Sequence, residues 1–171
     1  SGVLHVEVAP APSKLRCRLL AHFDELTADM VANSVEAKEL EVDKIFLTAL
    51  HASPSGFMLR LRELDCPSRQ IGPLVEIPFS TIASLTSIVS DALAESFTPI
   101  ARIEIVDEGK LSARLRAGGL ITDPDSPANV EPGMILRPVS RRNDRDCQPA
   151  KGGIQAIPWS YVSVDDKHDA T

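Results

Sequence analysis

The chain has 171 residues, 43% of them hydrophobic and 25% charged, which is room for one ordinary domain or two small ones and excludes wholesale disorder, collagen and coiled coil. A formal net charge of −6 argues against a general affinity for nucleic acid or anionic membrane, since both draw on a surplus of Lys and Arg. Only 4% of the residues are aromatic, so the core falls to Leu, Ile, Val and Ala, with Phe23, Phe46, Phe57, Phe79, Phe97, Trp159 and Tyr161 each carrying a large share.

Val3-Leu4-His5-Val6-Glu7-Val8 alternates and reads as a short strand or arm ahead of the stiff Ala9-Pro10-Ala11-Pro12 linker. Leu15, Cys17 and Leu19 alternate with Arg16 and Arg18, which predicts a half-buried strand to about residue 21. A helix follows to about residue 38, with Asp24 or Thr27 as N-cap and Leu26, Met30, Val31 and Val35 as its apolar stripe. Period-2 runs over 42–52 and 57–65 flank Ser53-Pro54-Ser55-Gly56, a turn composition that predicts a β-hairpin. In its second strand Phe57, Leu59, Leu61 and Glu63 share one face. Met58, Arg60, Arg62 and Leu64 share the other, which predicts a mostly basic outer surface.

Residues 74–77 form a short strand before Pro78. The strongest helical pattern runs over 80–96, where Ile82, Leu85, Val89, Ala92, Leu93 and Phe97 recur at helical spacing, Ser80 can cap and Pro99 stops. Beyond Pro99 the texture is β: strands over 100–106 and 110–117 around Asp107-Glu108-Gly109, a long loop over 122–133, a strand over 134–139, a charged turn over 141–146, and a last strand over 154–164 interrupted by Pro158. This predicts an α+β fold. An N-terminal antiparallel or mixed sheet with two helices on one face (1–98, with 1–12 as an arm) is followed by a small SH3-like β-barrel (99–164) and a flexible tail (165–171). The almost slack-free linkage at Pro99 predicts two units packed together.

Three cysteines, Cys17, Cys66 and Cys147, lie too far apart for a zinc motif and read as separate, partly buried thiols, with one disulfide as the alternative. No run of 18 apolar residues is present to span a bilayer. The start Ser1-Gly2-Val3, without initiator Met or signal-peptide pattern, reads as a trimmed or mature fragment.

Candidate chemistry is sparse, and no catalytic residue, metal ligand or cofactor is assigned. Asp123, Asp125 and Glu131 share one loop but lack the further oxygens and turn glycine of a calcium loop. His22 stands two residues from Asp24, and His51 lies near Ser53 and Ser55, without any motif that arranges a nucleophile. Gly118-Gly119 is a strand-ending turn, because no helix N-terminus follows it. Arg137, Arg141, Arg142 and Arg145 gather around one turn where Asp144 and Asp146 offset half their charge, so local salt bridging is expected. Trp159 and Tyr161 share a strand face, as barrel core or as an exposed platform. Arg141, Arg142, Arg145, Trp159 and Tyr161 are the candidate binding residues.

Leu59-Arg60-Leu61-Arg62-Glu63-Leu64-Asp65 with Gly72-Pro73, then Leu115-Arg116-Ala117-Gly118-Gly119-Leu120, Pro132-Gly133 and Ile157-Pro158-Trp159, resemble segments of uncharacterised bacterial envelope proteins that join a small α/β module to a β-barrel. The resemblance covers the arrangement of residues 13–164. It implies an envelope location and a non-enzymatic role in assembly, and carries no catalytic residue across. The expected function is a non-catalytic binding or assembly module with a protein partner. Two alternatives stand beside it: a hydrolase using the 122–131 loop, and an RNA-binding barrel using Arg141, Arg142 and Arg145 with Trp159.

Overall fold

The computed structural model describes residues 6–107, 110–116, 129–145 and 149–166. Residues 6–12 form no strand; Val6 and Val8 are exposed, and Ala11 rests against the core. Helix α1 (Ser13–Ala21) stands where alternation predicted a strand. Its nine residues include no β-branched side chain and are rich in Leu, Arg and Lys, which are good helix formers. Leu15 and Leu19, four apart, are buried on one helical face while Cys17 is exposed. The first helical bond runs from the Arg16 N–H to the Pro12 carbonyl at 2.8 Å.

The next helix is shorter than its stripe suggests. In α2 (Ala28–Ala32), the Thr27 hydroxyl caps the end by accepting from the Met30 N–H at 3.3 Å. At Asn33-Ser34 the chain leaves the helix, with Ser34 Oγ donating to the Met30 carbonyl at 2.6 Å, a local bond of the kind that competes with helix propagation. A 3-10 turn, Ala37–Leu40, leads into the sheet.

The N-terminal sheet is antiparallel. β1 (Lys44–Ser53) pairs with β2 (Gly56–Asp65), whose far side pairs with β3 (Gln70–Ile71) and β4 (Val75–Phe79). The hairpin register sets Ser53 opposite Gly56 and Lys44 opposite Asp65. Gly56 has φ +134°, and a Cβ there would lie 2.7 Å from the Phe79 carbonyl oxygen, so only glycine suits this turn. β4 continues through Pro78, opposite Met58, because it is an edge strand where a missing N–H costs no ladder bond.

The helices cover opposite faces, contrary to the expected single face. α1 and α2 pack with Leu47, Ala49, Leu64 and Cys66, and α3 (Leu85–Ser96) covers Leu59, Leu61 and Val75. The cause is β2, which is apolar on both sides. Leu64 is completely buried, and Arg62 is not part of an open basic surface: its guanidinium donates to the carbonyls of Gly72, Asp24 and Leu26 at 3.0–3.1 Å. Burial lowers the Arg62 pKa, opposed by the nearby Asp24 charge. A 3-10 turn, Ile82–Ser84, precedes α3, so Ser80 stands outside the helix and caps nothing.

Beyond residue 99 the structure is a set of two-stranded ladders: β5 (Ile100–Asp107) with β6 (Lys110–Arg116), β7 (Ile135–Leu136) with β10 (Val162–Ser163), and β8 (Val139–Asn143) with β9 (Pro149–Ala156). Among the described residues no strand set closes into a barrel. The expected last strand is two strands, β9 and β10, separated by a turn at Pro158-Trp159. A closed barrel needs large inward side chains from every strand. Among the described residues of this half, Val130 is the one large aliphatic in the core, whereas Ile103, Leu111, Ile135 and Ile157 are exposed.

Candidate functional site

At the open end of the β1–β2 hairpin, register brings three charged side chains together. Lys44 starts β1 opposite Asp65, which ends β2, and Glu63 lies one position along the same face. Lys44 Nζ pairs closely with Glu63 and lies 3.3 Å from Asp65 Oδ2; all three side chains are 4% exposed or less. The C-terminal end of α3 roofs them: Lys44 Nζ donates to the Thr98 carbonyl at 2.7 Å and sits 5.1 Å from the centre of the Phe97 ring. The Thr98 N–H donates to Glu63 Oε2 at 2.7 Å, and the Ser68 N–H to Asp65 Oδ1 at 2.6 Å. Burial pushes the Glu63 carboxyl above its ordinary range, while Lys44 and the Thr98 N–H pull it back.

A lysine has three N–H donors, and here three acceptors surround it, so the cluster has no donor left for a substrate. Its chemistry is structural. It fixes residues 97–98, where the sheet-and-helix unit passes into β5. Beside it Arg116 of β6 forms an ion pair with Asp43, and Arg141 Nη1 donates to the Pro67 carbonyl at 3.0 Å, two more ties between the halves.

The candidate binding residues are all exposed. Arg141 and Arg142 lie in strand β8, where a charged turn was expected, and Arg145 in the turn after it. Arg141 Nε donates to Asn143 Oδ1 at 2.8 Å. Trp159 (102% exposed) and Tyr161 (70%) lie in the turn segment between β9 and β10, so neither ring fills a core and the two share no strand face. The rarity of rings favours a core position, but the Trp159 backbone is in the left-handed region at φ 59°, a turn conformation no strand allows. Among the described residues no guanidinium stacks on either ring.

The remaining candidates separate. Asp123, Asp125, Gly118, Gly119 and Cys147 lie outside the described residues. Glu131 is exposed and accepts from Asn129 Nδ2 at 2.8 Å. His22 faces Glu25, 3.5 Å away, and not Asp24. The Ser53 and Ser55 hydroxyls bond each other at 2.9 Å, leaving His51 bonded to neither. They rim an open depression of about 390 Å³ with the stacked Phe57 and Phe79 rings, and no charged group lines it. Cys17 and Cys66 are free thiols, the first exposed, against expectation, and the second buried, with its pKa pushed up by burial to about 12. Among the described residues no three His, Cys, Asp or Glu side chains are grouped to hold a metal.

No motif announces the Lys44–Glu63–Asp65 cluster; its one signal in the sequence is that Glu63 shares a strand face with Phe57, Leu59 and Leu61, an apolar company that marks a buried carboxylate in need of a partner. No protein-family model matches the chain, and no curated protein or solved structure matches it either.

Proposed function

We propose that this protein is a non-catalytic binding or assembly module that presents the 157–161 segment, with the arginines of β8, to a protein partner. The observation that carries the reading is Trp159: a fully exposed indole held outward by a left-handed backbone conformation. For a bulky residue that conformation costs about 1–3 kcal/mol, and strain of this kind concentrates at binding and clamp positions. Ile157 and Tyr161 extend the apolar surface; the Ile157 N–H donates to the carbonyl of Pro138, the residue after Arg137, and Arg141 lies further along β8, opposite Ile154. Trp, Tyr and Arg are the side chains that most often dominate protein interfaces. The Arg141–Pro67 bond ties β8, the ladder partner of the strand that leads into this segment, to the N-terminal unit, which limits the ordering entropy lost on binding. The bacterial envelope is the setting we propose, on the resemblance of the sequence segments alone.

An exposed indole on a chain with several surface arginines also suits single-stranded RNA, but the net charge of −6 and the engagement of Arg141 with Asn143 and Pro67 favour a protein. The test is a photo-reactive amino acid placed at position 159 of the intact chain in its native cells, with exposed position 41 as the control. The reading expects one dominant protein adduct at 159 and none of it at 41. Identical adduct patterns at both positions, or an adduct with RNA, would count against it.

A further inference from the structure

We propose that the arginine face of the β5–β6 hairpin is a binding site for a phosphate-class oxyanion, a site separate from the 157–161 surface. Register places Arg102 directly opposite Arg114, with Arg116 two residues further along the same face. Together with Glu104, which stands at the β-bulge, these three arginines line a shallow cleft of about 190 Å³. Like charges directly opposite each other in a ladder are destabilising, and a two-stranded ladder is marginal by itself. The hairpin nonetheless sets two arginines directly opposite each other, an arrangement that an anion bound by both turns from repulsive to attractive.

The internal carboxylates do not use up the positive charge. Glu104 lies 3.4 Å from Arg114 Nε, and Asp43 pairs with Arg116 from outside the cleft. Among the described residues Arg102 has no carboxylate within ion-pair distance. Three guanidiniums against two carboxylates leave one net positive charge. A carboxylate ligand fills a single arginine fork, whereas a tetrahedral oxyanion accepts from several forks at once, which is what converging arginines offer. The Arg114 side chain is 75% exposed, so binding is weak and screened by salt. Such a group is carried by a free phosphate or phosphomonoester, or by a lipid headgroup.

The experiment is a titration of the isotopically labelled intact chain with inorganic phosphate, read by amide chemical shifts at constant ionic strength, with chloride as the control anion. Vesicles of phosphatidylcholine with and without phosphatidic acid form a second arm. Phosphate is expected to move the amides of residues 100–104 and 112–116. The double variant R102Q/R114Q is expected to weaken binding about tenfold or more, and R16Q/K38Q, at exposed positions of the N-terminal unit, to leave it unchanged. Sedimentation on phosphatidic acid vesicles that free phosphate competes away assigns a headgroup; saturation by phosphate without sedimentation assigns a soluble ligand. Equal shifts with chloride, or phosphate shifts that survive R102Q/R114Q, would overturn the site. Should the double variant lose its fold, R102K keeps the charge and removes the fork: binding several-fold weaker is expected, and binding as tight as the unaltered chain contradicts the proposal.

Discussion

The Thr98 N–H donates to Glu63 Oε2 at 2.7 Å across 35 residues of sequence, joining the end of β2 to the residue that leaves α3. Lys44 closes the arrangement by donating to both Glu63 and the Thr98 carbonyl. One buried cation thus holds strand, helix end and linker together, and the order of the C-terminal ladders relative to the N-terminal unit begins there.

Replacing Lys44 with Met strands Glu63 and Asp65 in a site that excludes water. Breaking a buried pair by removing one partner costs about 3–5 kcal/mol, mostly as an uncompensated charge. Urea unfolding of Lys44→Met is expected to show a loss of that order, and the double variant Lys44→Met with Glu63→Leu a smaller one. A loss under about 1 kcal/mol in the single variant, the size typical of an exposed pair, would show that the cluster is not buried.

Glu63 also makes stability depend on pH. Its folded pKa lies above the unfolded one because of burial, so between the two values the folded state binds more protons and stability falls as pH rises. Its contribution is fully present below the ordinary glutamate range and is lost as pH climbs through the folded value. Unfolding free energies measured over that window are expected to slope more steeply downward in the unaltered chain than in Glu63→Gln. Parallel curves would place the folded pKa of Glu63 at its unfolded value.

The two described thiols differ in reactivity. Cys17 is exposed, whereas Cys66 is buried with its pKa near 12, so its thiolate is rare at neutral pH. In a Cys147→Ser background, a disulfide reagent is expected to modify one thiol per chain quickly and the second only as the protein unfolds. Two equal fast phases would contradict the burial of Cys66.

Gly56→Ala tests the hairpin turn. With φ at +134° and a Cβ that would lie 2.7 Å from the Phe79 carbonyl oxygen, the substitution strains the turn and pushes β4 away. A loss of about 1–3 kcal/mol is expected from the backbone strain, measured as a shift of the urea midpoint at unchanged slope. An unchanged midpoint would mean that the turn has another geometry.

The hairpin was legible because Ser53-Pro54-Ser55-Gly56 combines turn chemistry with period-2 flanks, two local signals that agree. α3 was legible in part: Val89, Ala92 and Leu93 of the expected stripe pack on the sheet together with Ile88, whereas Ile82 is exposed in the 3-10 turn before the helix. α1 was not, because Leu15 and Leu19 satisfy strand alternation and helical i, i+4 spacing equally, and propensity decided between them. The covering of both sheet faces was hidden in Arg62, which reads as a solvated charge until three carbonyls from distant segments surround it. The exposure of Trp159 was hidden by its neighbours: Ile157, Trp159 and Tyr161 alternate like a strand, and nothing local announces a left-handed backbone at a tryptophan. Closure of a barrel rests on long-range pairing, which no local pattern encodes.

The chain has a single tryptophan, so intrinsic fluorescence with acrylamide quenching reports on Trp159 alone and tests most directly whether that ring is free to meet a partner. The account predicts emission and quenching of the folded chain close to those of indole in water, unchanged when urea unfolds it. Blue-shifted emission protected from acrylamide in the folded chain, and lost on unfolding, would contradict it.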